Sequence, residues 1–182
     1  MGKIIISETV SLDGVAGGER LFGWVGQIKG DAAKALFAEA MATEAMLLGR
    51  NTYGFFASQY GSMTGPMPDR LNSKPKYIVS STLENPEWNN STVLAGDVVN
   101  EVTKLKQQVT GDIVVYGSLQ LVNTLIEHDL ADEVRLTVYP VVLGAGERLF
   151  GEITDTKPLR LVNAQTIDDG LTSLTYEVIR GA

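Results

Sequence analysis

The chain has 182 residues, of which 44% are hydrophobic and 20% are charged, as expected for one ordinary globular domain over 1–182. Its formal net charge of −7 argues against a nucleic-acid surface, which would need a basic stripe to neutralise phosphates. The chain contains no cysteine, which excludes disulfides, thiolate metal ligands and a cysteine nucleophile. A single histidine, His128, cannot build a catalytic zinc centre, so we expect no metal site.

The N-terminal part of the chain alternates strand and helix patterns. Residues 3–10 predict a buried strand, and the Gly-rich segment SLDGVAGGERLFGW (11–24) predicts a loop because it fits neither period. The segment DAAKALFAEAMAT (31–43) predicts an amphipathic helix with Asp31 as its N-cap. EAMLLG (44–49) then predicts a short strand that ends at its glycine.

The rest of the chain continues this alternation and then changes character. The next predicted elements are a short helix from 50, a loop over 61–75, strands over 76–81 and 91–96, a helix over 97–109, a strand over 112–117 and a helix over 118–130. Asp97 and Ser118 stand at the N-cap positions of the last two helices. Alternating strands follow at 132–144, 159–168 and 171–180, and the DDG turn at 168–170 joins the last two as a hairpin.

This order of elements predicts the α/β class. We expect a single mixed, mostly parallel sheet of about eight strands, with helices on both faces and a C-terminal antiparallel pair. Three strands end in small or polar residues, at Gly49, Ser80 and Gly117. Parallel strands deliver their carboxyl ends to one edge of the sheet, so that edge is the candidate site.

The residues at these strand ends are typical of anion binding. Gly117 and Ser118 stand where a strand passes into a helix, and unpaired N–H groups at a helix start favour an anion. Arg50 and Thr52 stand at another helix start, where a guanidinium can bind phosphate through two hydrogen bonds. The alternatives are a left-handed turn with an ordinary cap at 117–118 and a solvated Arg50.

The order and spacing of several motifs are similar to those of one family. The motifs are SLDG (11–14), LLGRNTY (47–53), VSS (79–81), VVYGS (114–118), LADEVRL (130–136) and PVVLGAGERLF (140–150). On these motifs the chain resembles the dihydrofolate reductase superfamily over nearly its whole length. It more closely resembles the standalone reductases related to the C-terminal domain of the bifunctional riboflavin-biosynthesis deaminase-reductase. The resemblance implies a dihydrofolate reductase-like three-layer sandwich.

The resemblance also implies NADPH, bound in an extended conformation across the sheet, as the cofactor. Arg50 matches the position near the adenosine 2′-phosphate, and Gly117 and Ser118 match the turn that cradles the pyrophosphate. Dihydrofolate reductases usually have a second glycine where Ser118 stands. The cofactor residues that the resemblance implies are Ala16, Gly17, Gly49, Arg50, Asn51, Thr52, Ser80, Ser81, Thr82, Gly117, Ser118, Leu119 and Gln120.

The proton donor and the substrate residues are less defined by the motifs. Asp13 and Asp31 are the candidate catalytic acids, with bound water as the alternative donor. Asp13 also fits an ordinary turn, and Asp31 also fits a helix cap. Dihydrofolate reductases carry a carboxylate on the first helix at a position that falls near Ala33. The resemblance places Trp24 near the mouth of the substrate site.

The function that we expect is a NADPH-dependent reductase. It would transfer a hydride to a C=N or C=O group of a small pterin-, pyrimidine- or sugar-linked substrate. The alternative is a nucleotide-binding protein of the same fold without efficient turnover. We expect a cytoplasmic protein with no nucleic-acid or membrane partner, because no apolar run is long enough to span a bilayer. We also expect a homodimer, from the family and from the apolar strand EVRLTVYPVVLG (133–144), which could lie at a sheet edge.

Overall fold

The structure is a computed structural model that describes residues 1–26, 29–167 and 170–180. The strands along these residues are β1 (Lys3–Ser11), β2 (Val15–Gly17), β3 (Ala45–Gly49), β4 (Lys76–Val79), β5 (Ser91–Leu94), β6 (Asp112–Tyr116), β7 (Glu133–Tyr139), β8 (Glu147–Arg148), β9 (Leu159–Ile167) and β10 (Leu171–Val178). The helices are α1 (Glu19–Val25), α2 (Gly30–Ala42), α3 (Arg50–Tyr60), α4 (Pro66–Ser73), α5 (Val98–Gln108) and α6 (Leu119–Glu127).

One mixed sheet of eight strands organises the fold. The strand order is β5-β4-β3-β6-β1-β7-β10-β9, and β2 pairs with β8 in a separate small sheet. Strands from β5 to β7 pair in parallel, whereas β10 runs antiparallel to β7 and β9. The predicted mixed sheet with a C-terminal antiparallel pair is therefore confirmed.

Helices cover both faces of this sheet. The face under α5 and α6 packs through a cluster that includes Val102, Leu105, Leu121, Val122, Leu125 and Ile126. The opposite face packs α2, α3 and α4 through a cluster that includes Ala40, Tyr53 and Leu71. Strand β1 lies between two parallel neighbours, and Ile4, Ile5 and Ile6 are all 0% exposed, because side chains on both faces of such a strand are covered.

The neighbouring strands β3 and β6 send their helices to opposite faces. The chain leaves β3 into α3, which packs on one face, and leaves β6 into α6, which packs on the other. Such a divergence opens a crevice at the carboxyl ends of the two strands, and ligands of open α/β sheets bind in crevices of this kind. The order of the strands therefore places the candidate site between the starts of α3 and α6.

Two segments that were predicted as loops contain regular structure. The segment 11–24 holds β2 and most of α1, because β2 finds a partner in the distant β8, which no local pattern can reveal. The segment 61–75 holds α4, which has proline in its first turn. Proline at this position is favourable because the missing N–H has no helical acceptor there, so the prediction of a loop over 61–75 was wrong.

The helix caps agree with the predictions only in part. Asp97 caps α5, and its carboxylate accepts a hydrogen bond from the Asn100 N–H at 3.0 Å. Asp31, in contrast, lies inside the first turn of α2, whose N-cap position is held by Lys29, so its assignment as the cap was wrong. Residues 168 and 169 of the predicted DDG turn lie outside the described residues.

The strand on which we based homodimerisation is internal. Strand β7 pairs with β1 on one side and β10 on the other, so it has no free edge. The edges of the large sheet are β5 and β9. Strand β9 is exposed along most of its length, including Leu161 and Val162. Homodimerisation stays a prediction, and the exposed edge strand β9 replaces β7 as the candidate for its basis.

Candidate functional site

A cleft of about 1000 Å³ lies at the carboxyl edge of the sheet. It is lined by the end of β1, the small strand β2, helix α1 and the turns that follow β3, β4 and β6. Every residue that the resemblance assigned to the cofactor lies on its wall. These residues come from four separate segments of the chain, so the fold brings together residues that are far apart in the sequence.

The turns after β3 and β6 are joined by the hydroxyl of Ser118. This hydroxyl accepts a hydrogen bond from the Gly49 N–H at 2.7 Å and donates one to the Thr52 Oγ1 at 2.8 Å. Ser118 was predicted to cap α6, but its side chain makes no capping bond and its φ is 62°. The hydroxyl therefore connects the starts of α3 and α6, and the assignment as a side-chain cap was wrong.

The two glycines beside this connection leave no room for a side chain. A Cβ at Gly117 would lie 3.0 Å from Thr52 Oγ1, and φ at Gly117 is +57°. A Cβ at Gly49 would lie 3.0 Å from Ser118 Oγ. Glycine at these two positions thus permits the backbones of the two turns to come close. The unpaired N–H groups at the start of both helices consequently face one crevice, where they favour an anion.

The turn after β4 forms the far wall of the same crevice. Ser80 is buried, and its hydroxyl accepts hydrogen bonds from the backbone N–H groups of Thr82 at 3.2 Å and Leu83 at 3.0 Å. Arg50 donates a hydrogen bond from Nη1 to the Thr82 hydroxyl. Because this bond holds the guanidinium over the cleft beside two exposed hydroxyl residues, Ser81 and Thr82, the wall suits a phosphate group.

The segment 11–18 closes over one end of the cleft and is fixed by a second loop. Gly17 pairs with Glu147, and a Cβ at Gly17 would lie 3.3 Å from the Glu147 side chain. The Leu12 N–H donates to the Val141 carbonyl at 2.9 Å. Ala16 packs against the core, and Gly17 approaches Leu119 of α6. The loop therefore lies against the start of α6 and forms part of the cleft wall.

Asp13 serves this loop closure and does not line the cleft. Its carboxylate accepts hydrogen bonds from the Ser11 hydroxyl at 2.6 Å and from the N–H groups of Leu143 at 3.1 Å and Gly144 at 2.8 Å. These donors hold the pKa of Asp13 far below its ordinary value. A carboxylate that is ionised at neutral pH cannot donate a proton, so the geometry does not support Asp13 as a catalytic acid.

Asp31 and Trp24 also lie away from the cleft. The Asp31 side chain is 66% exposed and accepts a hydrogen bond from Lys34 Nζ at 2.7 Å. Trp24 is 42% exposed, and the part of α1 that lines the cleft is formed by Leu21, Phe22 and Val25. The structure therefore supports neither Asp31 as the proton donor nor Trp24 as the substrate residue.

Aromatic side chains form part of the cleft wall. Phe55 and Phe56 project from α3, Phe22 projects from α1, and Tyr116 ends β6. The rings of Phe56 and Tyr116 lie 5.9 Å apart between centroids. Burial, together with the nearby Glu39 charge, raises the pKa of Tyr116 above its ordinary value. A flat aromatic compound fits such a wall, because offset and edge-on ring contacts are favourable.

The carboxylate of α2 that faces the sheet is Glu39, which sequence reasoning missed. Glu39 accepts hydrogen bonds from the Ser7 hydroxyl at 2.8 Å and from Arg135 Nη1 at 3.2 Å. Ser7 lines both the main cleft and a smaller cavity of about 330 Å³ beside α2. The available signal was helical spacing, because Glu39 stands seven residues after the buried Ala32 and shares its face.

Sequence reasoning also missed Glu8, which lies inside the cleft. Glu8 belongs to β1, is 8% exposed and lines the cleft beside Gly117. Burial, together with the Glu39 charge, raises the pKa of Glu8 to about 8. A hydrogen bond from the Gly117 N–H acts in the opposite direction and lowers this pKa. The only signal in the sequence was a charged residue, between Ser7 and Thr9, in a strand predicted to be buried.

The histidine and the acidic residues form no metal site in the described structure. His128 stands at the C-cap of α6. Within 1–26, 29–167 and 170–180, no group of three or more His, Cys, Asp or Glu side chains could hold a metal ion. Over the same residues, no helix has both the length and the apolar character needed to cross a membrane.

Comparison with known proteins shows the family. Residues 2–173 match the family model of the RibD C-terminal domain. The chain is 30% identical over 179 residues to YyaP, an uncharacterized protein of Bacillus subtilis, with 96% of this chain and 94% of YyaP covered. The chain therefore belongs to the RibD C-terminal domain family, which is reductase-like.

Solved structures confirm the fold. A protein of Shewanella sp. PV-4, provisionally named a riboflavin biosynthesis protein, superposes with a TM-score of 0.81 at 23% identity, covering 98% of this chain and 99% of that one. Dihydrofolate reductase of Enterococcus faecalis, complexed with NADP(H), superposes with a TM-score of 0.66 at 17% identity, covering 97% and 96%. The predicted dihydrofolate reductase-like three-layer sandwich is thus confirmed.

Proposed function

We propose that the protein is a NADPH-dependent reductase that transfers a hydride to a C=N or C=O carbon of a small pterin-, pyrimidine- or sugar-linked compound. The observation that carries the proposal is the convergence of three strand-end turns in one cleft, with the starts of α3 and α6 connected through Ser118. The reductase-like family supports it. The cofactor carries the hydride chemistry, and the protein supplies binding, orientation and exclusion of water.

The residues of the cleft fit a long nucleotide with two separate anionic groups, a pyrophosphate and a further phosphate. Glycine at 49 and 117, where a Cβ would crowd the opposite turn, leaves the backbone N–H groups accessible to a pyrophosphate. Arg50, beside Ser81 and Thr82, would hold a phosphate at the far end of the nucleotide. Ala16 and Gly17 would cover the nicotinamide end. NADPH supplies the hydride when it is bound there.

The aromatic wall supports a heteroaromatic substrate. Phe22, Phe55 and Tyr116 surround the part of the cleft beyond the anion-binding turns. Rings on both sides of a cleft can hold a flat pterin or pyrimidine against the cofactor and exclude water from the reacting atoms. Asp13 and Asp31 do not line the cleft, so water would supply the proton in place of these two residues.

A second candidate function is nucleotide binding without efficient turnover. The observation that favours it is the position of Asp13 and Asp31, which leaves the cleft without the acids that the sequence predicted. Such a protein would bind NADPH as a sensor. A sensor of this kind would not need the loop motion by which a reductase admits substrate and releases product.

Steady oxidation of NADPH separates these candidates. We would incubate the purified protein with NADPH and a panel of pterins, aminopyrimidines and sugar-linked carbonyl compounds, and follow the loss of nicotinamide absorbance. A Phe55→Ala variant should raise the substrate KM without changing NADPH affinity, whereas Phe37→Ala, on the outer face of α2, should change neither. NADPH binding without turnover of any compound would favour the sensor, and the absence of both would overturn both candidates.

A further inference from the structure

Glu8 stands apart from the other buried charged groups because one of its carboxyl oxygens has no partner. Lys76, for comparison, donates hydrogen bonds from Nζ to three backbone carbonyls. Glu8 is 8% exposed, and its Oε1 makes no hydrogen bond in the described structure. An unsatisfied buried oxygen is unfavourable, and a ligand that pairs with the carboxyl group would remove this penalty.

The position of Glu8 determines which part of a ligand it would meet. Glu8 lies on β1, directly beside β6, and its carboxyl group accepts a hydrogen bond from the Gly117 N–H. Gly117 begins the turn into α6, a helix of nine residues. Glu8 and Gly117 line the same cleft, so the carboxyl group lies beside the turn that begins α6.

The charge state of Glu8 is set by its surroundings. An ionised carboxylate at this position would repel a bound phosphate, and burial already disfavours its charged form. The other charged group that acts on it is Glu39 of α2, which has the same sign. A neutral carboxyl group, in contrast, presents an O–H donor to the cleft.

We propose that Glu8 is a nucleotide-binding residue that stays protonated and donates a hydrogen bond from its carboxyl O–H to a phosphate oxygen of the bound dinucleotide. This inference rests on the proposed function. Binding of the dinucleotide is then linked to a proton: it proceeds without proton exchange when Glu8 is already neutral, and it takes up one proton when Glu8 is ionised in the free protein. In the second case the one bond that forms is the carboxyl O–H, with a proton taken from the solvent.

The linkage predicts a defined pH profile for affinity. The pKa of Glu8 in the free protein is about 8, so the Kd for NADPH should be constant below pH 8 and should rise about tenfold per pH unit above it. The charged and titratable groups on the other elements that face this part of the cleft are Glu39 of α2, Arg50 of α3, Glu147 of β8 and Tyr116 of β6. Burial raises the pKa of Tyr116, so it stays neutral over this range.

The experiment measures Kd by fluorescence titration from about pH 7 to pH 10, with NADPH and with NADH, for the unmodified protein and two variants. Glu8→Gln keeps a neutral donor, so it should bind with nearly constant affinity across the range. Glu8→Leu removes the donor, so it should bind more weakly at every pH and without the rise above pH 8. NADH lacks the 2′-phosphate and should show the same rise, which assigns the linkage to the pyrophosphate side.

A second measurement needs no variant. Calorimetric titration at pH 9 in two buffers of different ionisation enthalpy gives the number of protons taken up, which should be about one per NADPH. Tight binding at pH 7 with no proton uptake at pH 9, or an unchanged pH profile in Glu8→Gln, would overturn the role of Glu8 and leave the reductase proposal intact. No dinucleotide binding at any pH would overturn both.

Discussion

The hydroxyl of Ser118 accepts a hydrogen bond from the Gly49 N–H at 2.7 Å, and this single contact joins the ends of two parallel strands. Ser118 holds a left-handed backbone conformation at φ 62°, which costs a residue with a side chain about 1 to 2 kcal/mol. A glycine would avoid that cost but could not join the turns. The serine thus connects the starts of α3 and α6 at the crevice that the strand order creates.

Removal of the Ser118 hydroxyl should weaken both the fold and the site. We expect Ser118→Ala to lower the free energy of unfolding by roughly 1 to 2 kcal/mol, because the Gly49 N–H loses its acceptor. Ser118→Gly should lose less stability than Ser118→Ala, since glycine relieves the left-handed strain. The two variants should lose NADPH affinity to a similar extent. Urea unfolding and fluorescence titration measure the two effects. Ser58→Ala, which loses an exposed serine bond to a carbonyl, is the control, and an equal loss there would contradict this role.

A methyl group at Gly117 should block the anion-binding turn. Gly117→Ala places a Cβ 3.0 Å from Thr52 Oγ1 at a φ of +57°, so crowding and strain add together. Gly144→Ala is the matched control, because its φ is +73° and no atom lies within 4 Å of its Cβ. Both variants should lose stability, roughly 1 to 2 kcal/mol from the left-handed conformation. Only Gly117→Ala should lose NADPH affinity. Equal affinities of the two variants in calorimetric titrations would refute the assignment of the anion-binding turn.

Asp13 should control loop closure and not proton transfer. Asp13→Ala removes the acceptor for the N–H groups of Leu143 and Gly144, so we expect faster amide hydrogen exchange over 141–146. The pKa of Asp13 is depressed, so its contribution is present at neutral pH and is lost only in acid. If Asp13 were the proton donor, Asp13→Asn would abolish turnover at saturating substrate. We expect that variant to retain most of its kcat.

Glu8 should make the protein less stable as the pH rises toward 8. Its pKa is raised from 4.5 to about 8, so between these values the folded state binds one more proton than the unfolded state. The free energy of unfolding therefore falls with rising pH over this window, by up to roughly 4 kcal/mol at 1.36 kcal/mol per unit. Glu8→Gln should remove this dependence, so its advantage over the unmodified protein should grow between pH 5 and pH 8.

Chemical denaturation at several pH values measures this difference. Glu84→Gln changes an exposed glutamate and should give parallel curves with the unmodified protein. A Glu8→Gln curve that is also parallel would show that Glu8 is ionised in the folded protein. That result would also remove the basis for a proton-linked nucleotide site.

Self-association should depend on strand β9. The strand is an unpaired sheet edge with Leu161 52% and Val162 55% exposed, and an exposed edge of this length favours pairing with another copy. We expect a homodimer by light scattering, and Leu161→Glu should shift it to a monomer. Leu12→Glu, at another exposed leucine, should leave the dimer intact. A monomeric unmodified protein would contradict the prediction.

The sequence predicted the sheet and the turns at its carboxyl edge because both follow from short-range patterns. Apolar strands that end in Gly49 and Gly117, each followed at once by a helix pattern, define strand-to-helix turns on local grounds alone. The parallel arrangement then brings those turns to one edge without further information. The resemblance assigned residues of these turns to NADPH, and the structure places all of them on one cleft.

The acidic residues could not be assigned in the same way. A carboxylate on a helix faces the sheet or the solvent according to helical phase, and a shift of two residues turns it by about 200°. That phase directs Glu39 toward Ser7 and leaves Asp31 exposed. Glu8 was missed because no motif marks it within the strand that was predicted as buried over 3–10. Only the structure shows that this glutamate lines the cleft.

The most direct test of the central claim is a titration of the purified protein with NADPH and NADH, beside Arg50→Ala and the control Lys104→Ala. Lys104 is an exposed lysine of α5, so its loss removes the same charge outside the cleft. We predict saturable NADPH binding that is tighter than NADH binding, and a loss of that preference in Arg50→Ala alone. The absence of binding to either nucleotide would contradict the reductase function.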